Sequence, residues 1–326
     1  MIFLTANLSR CQRMIQHLPV LLREVIEIFS PREGYHYLDA TFGGGGHARA
    51  LLEADPSIKV TVLDCDPEAY SRAVAMSKEY GNRLKSYNLS FDRLEEIPER
   101  EFDGIIFDLG VSSYQLETAA RGFSFHRAAP LDMRMDPREG VTASEFLERS
   151  TREELIEAVR DFGEEKQWRK VVDVILEARG SDAIQVTTRL AEIVSKTLTP
   201  GVRRGRESKI HPATKTFQGL RIALNKELKR LEATLPQSFE KLNSRGILIV
   251  ISFHSLEDRI VKRYFNRMAG RPEHRGDSLP QQSRTVQATL LTRRPLRPSL
   301  KERDSNIRSR SARLRALRKN NTPTPK

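Results

Sequence analysis

The sequence predicts an α/β fold built on a doubly wound parallel sheet, and three observations lead to this prediction. Short apolar strands alternate with amphipathic helices through the first third of the chain, as in parallel sheets covered by helices. A run of glycines joins the first strand to the next helix. Acidic residues follow three of the strands, namely Asp39, Asp64 and Asp108. Because parallel strands end at one edge of a sheet, we expect a ligand site at that edge.

Hydrophobic periodicity places the elements of the amino-terminal part in order. Apolar residues recur at helical spacing in the first element, and short apolar runs of strand length then alternate with amphipathic stretches. In chain order the predicted elements are a helix at 19–29, a strand at 35–38, a helix at 47–54, a strand at 59–63, a helix at 67–79, a short strand at 84–87 and a strand at 102–107. This alternation predicts strands that lie parallel in one sheet.

Beyond Glu117 the pattern changes to helices alone, which predicts an inserted domain. Helices are expected at 142–148, 152–161, 164–179 and 187–198. The sheet pattern then returns, with helices at 214–232 and 236–243, a buried strand at 246–252, a helix at 255–269 and a strand near 285–292. We therefore predict a discontinuous core over 1–118 and 212–292, an inserted helical domain over 119–211 that recognises the substrate, and a basic carboxyl-terminal tail over 293–326.

The loop at 39–47, which reads Asp-Ala-Thr-Phe-Gly-Gly-Gly-Gly-His, is the most informative segment. Glycines let the backbone turn tightly and approach a ligand, and the free N–H groups of the following helix face that ligand. Asp64 ends the second strand about 20 residues further on, at the spacing that lets a carboxylate bind a ribose diol. These features predict a site for a nucleoside cofactor, with a turn that binds nothing as the alternative.

The end of the loop narrows the choice of nucleoside. A Walker phosphate loop ends in Gly-Lys-Ser or Gly-Lys-Thr, whereas Gly46 is followed here by His47 and Ala48. The glycines from Gly43 onward also fit the spacing of dinucleotide enzymes poorly. S-adenosylmethionine carries no phosphates, so an acid and loop amides suit its amino acid end better. The residues favour this cofactor, and we expect Asp39 to face its ammonium group.

The distribution of charge points to a nucleic acid partner. The 326 residues carry a net charge of +12. Residues 293–326 contain twelve Lys and Arg against two acids, and residues 201–221 contain six against one. Concentrated positive charge binds phosphates without regard to sequence. A solvated tail is the alternative for the last residues, 320–326.

Composition also excludes several classes of protein. No apolar run reaches the roughly 18 residues that a bilayer-spanning helix needs, and the amino terminus lacks the pattern of a signal sequence. Two cysteines, Cys11 and Cys65, are too few for a disulfide framework or a cysteine metal site. We expect a cytoplasmic protein with no membrane partner. We also expect no metal, since metal-ligand spacing is lacking among His17, His126, His211 and His254.

Many short motifs occur in the order found in one known family. Three of the longest are His-Leu-Pro-Val-Leu-Leu-Arg-Glu-Val at 17–25, the glycine loop at 39–47 and Phe-Asp-Leu-Gly-Val-Ser-Ser-Tyr-Gln-Leu at 107–116. From Met14 onward the chain resembles the MraW/RsmH family of bacterial 16S ribosomal RNA cytosine-N4 methyltransferases. The first thirteen residues lie outside the resemblance, so Met1 and Met14 both stay open as translation starts. Further matching segments lie at 121–125, 130–137, 162–165, 211–217, 221–228, 252–259 and 308–313.

The resemblance implies a Rossmann-like class I S-adenosylmethionine-dependent methyltransferase fold with an inserted all-helical domain. It also implies the substrate, which is the exocyclic N4 of one cytosine in the decoding centre of 16S rRNA in the small ribosomal subunit. The oligomeric state is not implied, and a homodimer stays open. Carried over motif by motif, the cofactor-binding residues are Gly45, Gly46, His47, Asp64, Phe91, Asp108 and Gln115.

Asp108 is the candidate catalytic residue. Many amino-methyltransferases carry Asp/Asn-Pro-Pro-aromatic after the fourth strand, whereas residues 108–113 read Asp-Leu-Gly-Val-Ser-Ser, without the prolines. Cytosine N4 is a poor nucleophile because its lone pair is delocalised, so the enzyme has to orient it. We expect Asp108 to do this, with contact to the cofactor alone as the alternative. The loop at 121–136, with Phe123 and Phe125, is the candidate wall for a flipped base, or else part of the core.

Three other functions fit parts of the pattern. They are methylation of DNA or another RNA, a ribosome-assembly protein that has lost methyl transfer, and a nicotinamide oxidoreductase. The intact glycine loop, Asp64 and Asp108 count against the second, and the loop spacing counts against the third. The first stays open, because the surfaces that select the substrate show in the sequence only as charge.

Overall fold

The computed structural model describes residues 19–198 and 211–321. The chain forms two compact units, and the first consists of Met1–Gly110 and Leu228–Lys326. The second unit, Val111–Glu227, is helical and interrupts the first. Several predictions fall outside the described residues: those on Met14, Cys11, His17, the first ten residues of the basic island at 201–221, and residues 322–326.

The observed limits of the second unit differ from the predicted domain boundaries. The sequence predicts an inserted domain at 119–211, but the unit begins at Val111 and ends at Glu227. Val111 and Leu116 pack against the apolar core of this unit, and Phe217 is buried within it. Hydrophobic periodicity shows that a helix has an apolar face, but it does not show which core that face packs against. The predicted boundaries therefore divide residues that belong to the one apolar core of the second unit.

Among the described residues of the first unit, seven strands form a single sheet. They are β1 (His36–Asp39), β2 (Lys59–Leu63), β3 (Leu84–Tyr87), β4 (Phe102–Asp108), β5 (Leu242–Ser252), β6 (Ala288–Leu290) and β7 (Arg313–Lys319). Their order is β3-β2-β1-β4-β5-β7-β6. The first five strands pair in parallel, and β7 runs antiparallel to both β5 and β6. This topology confirms the predicted Rossmann-like class I fold, whose strand order reverses between β1 and β4.

Apolar side chains from the helices cover the two faces of the sheet. Along β4, Ile105 and Phe107 belong to one buried cluster and Ile106 to another, as the two-residue period of a strand requires.

No helix within the described ranges is long and apolar enough to cross a bilayer. Over residues 19–198 and 211–321 the α-helices are α1 (Leu22–Phe29), α2 (Gly46–Ala54), α3 (Pro67–Tyr80), α4 (Ser113–Glu117), α5 (Ala143–Arg149), α6 (Arg152–Ile156), α7 (Trp168–Glu177), α8 (Thr187–Leu198), α9 (Thr214–Asn225), α10 (Glu227–Glu240), α11 (Ser255–Met268) and α12 (Leu300–Ser305).

Two predicted helix boundaries near the end of the second unit are wrong. The sequence predicts a helix at 214–232, but α9 ends at Asn225 because the next residue, Lys226, adopts a left-handed backbone with φ of 52°. The sequence also predicts a new helix from Pro236, but α10 continues through that proline to Glu240. The buried apolar side chains of α10 pack in the core of the first unit, and this packing outweighs the local cost of the proline.

The prediction of a basic tail is wrong where the chain forms β7. Ala316 and Leu317 of this strand have no exposed surface and lie in register with β5. Beside them Arg315 donates hydrogen bonds to both carboxylate oxygens of Asp258, at 2.7 and 3.1 Å. The composition of this segment is dominated by arginine and so suggests a solvated tail, although the segment contains an apolar strand. Removal of residues 293–326 would therefore delete an interior strand of the sheet and could not isolate a role in binding nucleic acid.

The helices of the second unit approach very closely at one crossing. A Cβ added to Gly219 of α9 would lie 2.0 Å from the carbonyl oxygen of Ala158. Ala158 belongs to a π-helical turn, Glu157–Phe162, that follows α6 directly. A Cβ on Gly163 would lie 2.7 Å from the carbonyl oxygen of Lys215. Only glycine fits where two backbones touch in this way.

We expect Leu317→Ala to lower the free energy of unfolding by about 2–5 kcal/mol, because it leaves a cavity beside β5. Urea unfolding followed by circular dichroism measures the change. Leu300→Ala, at a position 71% exposed, is the matched control and should change stability by less than about 0.5 kcal/mol. Equally small effects of the two substitutions would contradict the place of β7 in the core.

Candidate active site

Three acidic residues lie together at one edge of the sheet. Asp39 and Asp108 end β1 and β4, and Asp64 directly follows β2. These strands are neighbours, since Asp39 is in register with Val62 of β2 and with Ile106 of β4. The prediction that the three acids share an edge is confirmed. The edge gathers negative charge beside the start of α2, where free backbone N–H groups point outward.

Two glycines at the start of α2, Gly45 just before the helix and Gly46 as its first residue, are required by packing. Gly45 adopts φ of +75°, and a Cβ there would lie 2.5 Å from the ring of Phe42. A Cβ on Gly46 would lie 2.2 Å from Cγ of Pro19. The sequence suggests that these glycines let a ligand approach. The structure adds a second reason, because the neighbouring side chains leave no room for a methyl group.

Asp64 is held by the glycine loop. Its Oδ2 accepts a hydrogen bond from the Gly43 N–H at 2.8 Å, and its Oδ1 accepts one from the Asp66 N–H at 2.9 Å. Burial raises the pKa of Asp64 to about 6, although these hydrogen bonds act in the opposite direction. Each oxygen has a second lone pair for a further donor. The carboxylate therefore can accept both hydroxyl protons of a ribose diol.

Asp39 is almost completely buried, with 1% of its surface exposed. Its carboxylate accepts hydrogen bonds from the backbone N–H groups of Thr41, at 3.2 Å, and Ala48. Burial raises the pKa of Asp39 to about 7, and the charge of Asp64 raises it as well. With so little surface, Asp39 acts through its charge and by joining β1 to α2. Contact between Asp39 and the ammonium group of a cofactor stays a prediction.

His47 is buried and neutral. Its Nε2 lies 3.1 Å from the carbonyl oxygen of Val20, and because a carbonyl can only accept, Nε2 carries the proton. The other ring nitrogen, Nδ1, lies 3.9 Å from Oδ2 of Asp108. Burial lowers the pKa of His47 to about 4. The ring therefore brings no positive charge to Asp108 at neutral pH.

Asp108 is the acid of this edge whose pKa is raised furthest. Its backbone N–H donates to Oγ1 of Thr41 at 2.6 Å, which ties the end of β4 to the loop after β1. The side chain is 25% exposed, yet Oδ1 is buried and has no hydrogen-bond partner among the described residues. Burial, with the charges of Asp39 and Glu257, raises the pKa to about 8, and Arg308 opposes this rise. A buried, unpaired carboxyl oxygen with a raised pKa marks a candidate functional group.

Phe91 lies after β3, in a 3₁₀ turn that runs Phe91–Glu96. Its ring meets the ring of Phe107 edge-on, with 5.7 Å between centroids. Its backbone carbonyl accepts a hydrogen bond from Oγ1 of Thr234 at 2.6 Å. The ring is half-buried, so one part packs in the core and the other part is available to a ligand. Contact with adenine stays a prediction.

Gln115 belongs to the second unit and forms a capping box at the start of α4. Its N–H donates to Oγ of Ser112 at 3.2 Å, and its Oε1 accepts from the Ser112 N–H at 2.9 Å. This local role accounts for a buried glutamine without any ligand. Cofactor contact by Gln115 likewise stays a prediction.

The loop at 121–136, also in the second unit, is partly structural. Arg121 is buried, and its guanidinium donates to two backbone carbonyls of the same loop, at 3.0 and 2.9 Å. Phe123 is buried too. The core role that the sequence leaves open therefore applies to these two residues. Phe125 is half-buried and His126 is exposed, so these rings are the remaining candidates for contact with a base.

Two residues of the site are missed by reasoning from sequence. Thr41 joins two of the acids, since its N–H donates to Asp39 and its hydroxyl accepts from the Asp108 N–H. Arg308 places a positive charge near Asp108. Two features of the sequence hint at them: Thr41 lies between Asp39 and the glycine run, and Arg308 begins a matching motif at 308–313. Neither signal shows that these residues act on Asp108, because the contacts join distant segments.

The residues of the edge fit S-adenosylmethionine. The cofactor is a sulfonium cation with an added ammonium group, and acids whose pKa values burial has raised gain most from a nearby positive charge. Asp64 has the acceptors for a ribose diol, and Asp108 has an unpaired oxygen. A class I sheet that ends in this set of groups defines an S-adenosylmethionine-dependent methyltransferase.

The chain belongs to the MraW methylase family, whose model matches residues 14–320, and S-adenosylmethionine is its cofactor. The chain is 45% identical to ribosomal RNA small subunit methyltransferase H of Thermomicrobium roseum over 308 residues, which is 92% of each protein. It is 43% identical to the protein of that name from Rickettsia massiliae, over 94% of this chain and 99% of the relative. A third relative of that name, from Methylobacterium sp., is also 43% identical, over 95% of this chain and 92% of the relative.

We expect Gly46→Ala to destabilise the protein by about 1–3 kcal/mol, because the new methyl group must displace Pro19 from the start of α2. Thermal unfolding measures this change, and a cofactor titration should show weaker binding in parallel. Gly276→Ala is the matched control, since its Cβ would lie no closer than 3.6 Å to a neighbouring side chain. Equal stability of the two variants would show that Pro19 does not confine this position.

Proposed function

We propose that this protein transfers the methyl group of S-adenosylmethionine to the exocyclic N4 of a specific cytosine in the decoding centre of 16S rRNA, in the small ribosomal subunit. Relatives that align over more than nine-tenths of the chain are named as methyltransferases of small-subunit ribosomal RNA. The net charge of +12 suits an RNA partner. The choice of cytosine N4 rests on the motif resemblance. A cytoplasmic location, where the ribosome is found, is part of the proposal.

The observation that carries the chemistry is the buried, unpaired Oδ1 of Asp108 at the carboxyl end of β4. The amino group of cytosine donates hydrogen bonds, but its lone pair is delocalised into the ring. A carboxylate that accepts an N4–H hydrogen bond favours a tetrahedral nitrogen and so frees the lone pair for attack. Within the described part of the chain, no other group competes for Oδ1 of Asp108.

Asp108 is also suited to take the proton that N4 loses when it gains the methyl group. The pKa of Asp108 is raised to about 8, and a general base works best when its pKa lies near the working pH. His47 is less suited, because burial lowers its pKa to about 4. The side chain of Asp108 is 25% exposed, so the captured proton can pass to water.

Cofactor binding is assigned to the glycine loop and its neighbours. When bound, S-adenosylmethionine supplies a methyl group attached to positively charged sulfur. Asp64 accepts hydrogen bonds from the ribose hydroxyls. Gly45 and Gly46 line the methionine end, and the backbone N–H group of Gly46, at the start of α2, binds its carboxylate. Phe91 packs on the adenine ring. Gln115 and His47 complete the set implied by the motifs.

Recognition of RNA is assigned to the second unit, Val111–Glu227. A target base must leave its stack before an enzyme can act on it. Proteins bind such bases by stacking them on aromatic or histidine rings. Phe125 and His126 offer such rings, and the exposed Arg127 beside them offers a positive charge for phosphate.

Methyl transfer to small ribosomal subunits that lack their native modification tests the proposal. Labelled S-adenosylmethionine should yield N4-methylcytidine, identified by mass spectrometry of the nucleosides, and Asp64→Ala should abolish the product. Transfer to another base or another atom would contradict the assignment of N4. Cofactor binding without any transfer to the subunit would contradict the assignment of ribosomal RNA.

We expect Asp108→Asn to lower kcat by about 10²–10⁴-fold, because it removes both the charge of the acceptor and the base. Steady-state kinetics on the same subunits measures the loss. Asp182→Asn, on the exposed surface of the second unit, is the control and should retain wild-type kcat. A retained kcat with a raised KM for the cofactor in Asp108→Asn would assign Asp108 to cofactor binding alone.

The same substitution should stabilise the ligand-free protein in a pH-dependent manner. Aspartate in an unfolded chain titrates near pH 4, whereas the pKa of Asp108 in the folded protein is about 8. Between these values the folded state keeps a proton that the unfolded state has released, so wild-type stability falls as the pH rises. Asparagine does not titrate. The melting temperature of Asp108→Asn should therefore exceed that of wild type by more at pH 8.5 than at pH 5. An equal difference in melting temperature at the two pH values would contradict the raised pKa of Asp108.

A further inference from the structure

The segment before β7 lies at the same edge of the sheet as Asp108. Because β7 is antiparallel to β5, Arg313 at its start is in register with Ser252 at the carboxyl end of β5. On the other side of β5, Asp108 is in register with Ile251. The residues just before Arg313 form a 3₁₀ turn, Ile307–Ser311. The topology therefore brings this turn to the candidate active site.

A series of contacts joins the same segment to Asp108 from a second direction. Glu302 of α12 accepts a hydrogen bond from the backbone N–H of Leu21 at 2.8 Å. The carbonyl of Val20, one residue earlier, is the hydrogen-bond partner of the His47 ring. That ring places Nδ1 3.9 Å from Oδ2 of Asp108. The segment is thus fixed on two sides relative to the acid.

Four arginines follow one another closely here, and they divide into two pairs. Arg315 donates to both carboxylate oxygens of Asp258, and Nη1 of Arg313 lies 3.4 Å from one of them. These two serve the packing of β7 against α11. By contrast, the guanidinium groups of Arg308 and Arg310 make no hydrogen bond or ion pair with the described residues. Arg310 is exposed and Arg308 is half-buried.

The turn that carries Arg308 and Arg310 is well ordered by its own hydrogen bonds. Ser309, between them, has no exposed surface, and its hydroxyl donates to the carbonyl of Asn306 at 2.8 Å. The side chain of Asn306 accepts from the Arg308 N–H at 3.3 Å. Because Ser309 is anchored in the core, the arginines on either side are held at the surface. A ligand that binds them needs to order little backbone.

The chemistry of this pair points to a phosphate ligand. Guanidinium groups bind phosphate through two parallel hydrogen bonds. The cofactor has no phosphate, so it does not account for the pair. RNA carries one phosphate for each nucleotide, and an ionised carboxylate at this edge, such as that of Asp64, would repel it. Positive charge at the turn offsets that repulsion where the target nucleotide has to enter.

We propose that Arg308 and Arg310 bind the RNA backbone phosphate next to the target cytosine, and so hold the nucleotide with its base towards Asp108. The proposal rests on the proposed function, since it takes RNA as the substrate. It assigns a substrate-binding role to the turn at Ile307–Ser311, separate from the role of β7 in the core. The two arginines bind and position the substrate and do not take part in the proton transfer.

The salt dependence of RNA binding tests this proposal directly. A short labelled single-stranded RNA is titrated by fluorescence anisotropy at several salt concentrations, with wild type and with the double variant Arg308→Gln/Arg310→Gln. Each phosphate contact to single-stranded RNA contributes about 0.7 to the slope of log K against log salt, so loss of this one phosphate contact should make the variant slope shallower by about 0.7. Arg308→Lys/Arg310→Lys keeps the charges and should keep the slope.

Arg263→Gln is the matched control. Arg263 is exposed on α11, about 12 Å along the helix from its start at the active-site edge, and its loss should leave the slope unchanged. On small ribosomal subunits the double Gln variant should raise KM for the subunit, while the Kd for the cofactor stays at the wild-type value. The unchanged Kd also shows that the variant is folded.

The outcomes separate this proposal from the proposed function. An unchanged salt slope in the double Gln variant, or an equal loss in Arg263→Gln, would overturn the phosphate site. A shallower slope in the double Gln variant together with no methyl transfer by wild type would overturn the proposed function and support the phosphate site on its own. A shallower slope and a raised KM together would support both.

Discussion

Crowding of carboxyl groups at the end of the parallel sheet is the constraint on which the whole site depends. Asp39, Asp64 and Asp108 end neighbouring strands, and burial raises the pKa of each. An ionised carboxylate is costly to bury unless hydrogen bonds or positive charge offset the lost hydration. Backbone N–H groups do this for Asp39 and Asp64. Asp108 keeps an unpaired oxygen, so a cationic cofactor and a hydrogen-bond donor from the substrate complete what the protein leaves unsatisfied.

The loop between β1 and α2 makes this arrangement rigid. Thr41 connects the ends of β1 and β4 through its N–H and its hydroxyl, and the Gly43 N–H reaches across to the acid that follows β2. Side chains then pack against the loop so closely that Gly45 and Gly46 have no room for a Cβ. A single loop therefore sets the relative positions of three strand ends. This is the preorganisation that a site for positioned methyl transfer requires.

Sequence reasoning succeeded wherever a feature repeats over a short stretch of chain. The strands at 59–63 and 84–87 and the helix at 187–198 have the predicted limits. It failed where distant packing overrides the local pattern, as at Pro236, which lies inside a helix because that helix has a buried apolar face. It failed again at β7, whose arginines suggest a solvated tail although the four consecutive residues 314–317 are buried and Arg315 is paired with Asp258.

By itself the sequence determined the alternation of strands and helices, the glycine loop, the acids at the strand ends and the family, because these features depend on residues that are close together in the chain. Only the tertiary structure decided that Oδ1 of Asp108 stays unpaired and that its pKa is raised to about 8. Only the tertiary structure separated Arg308 from the paired Arg315. Burial and charge pairing arise between segments far apart in the chain, and no local pattern of residues encodes them.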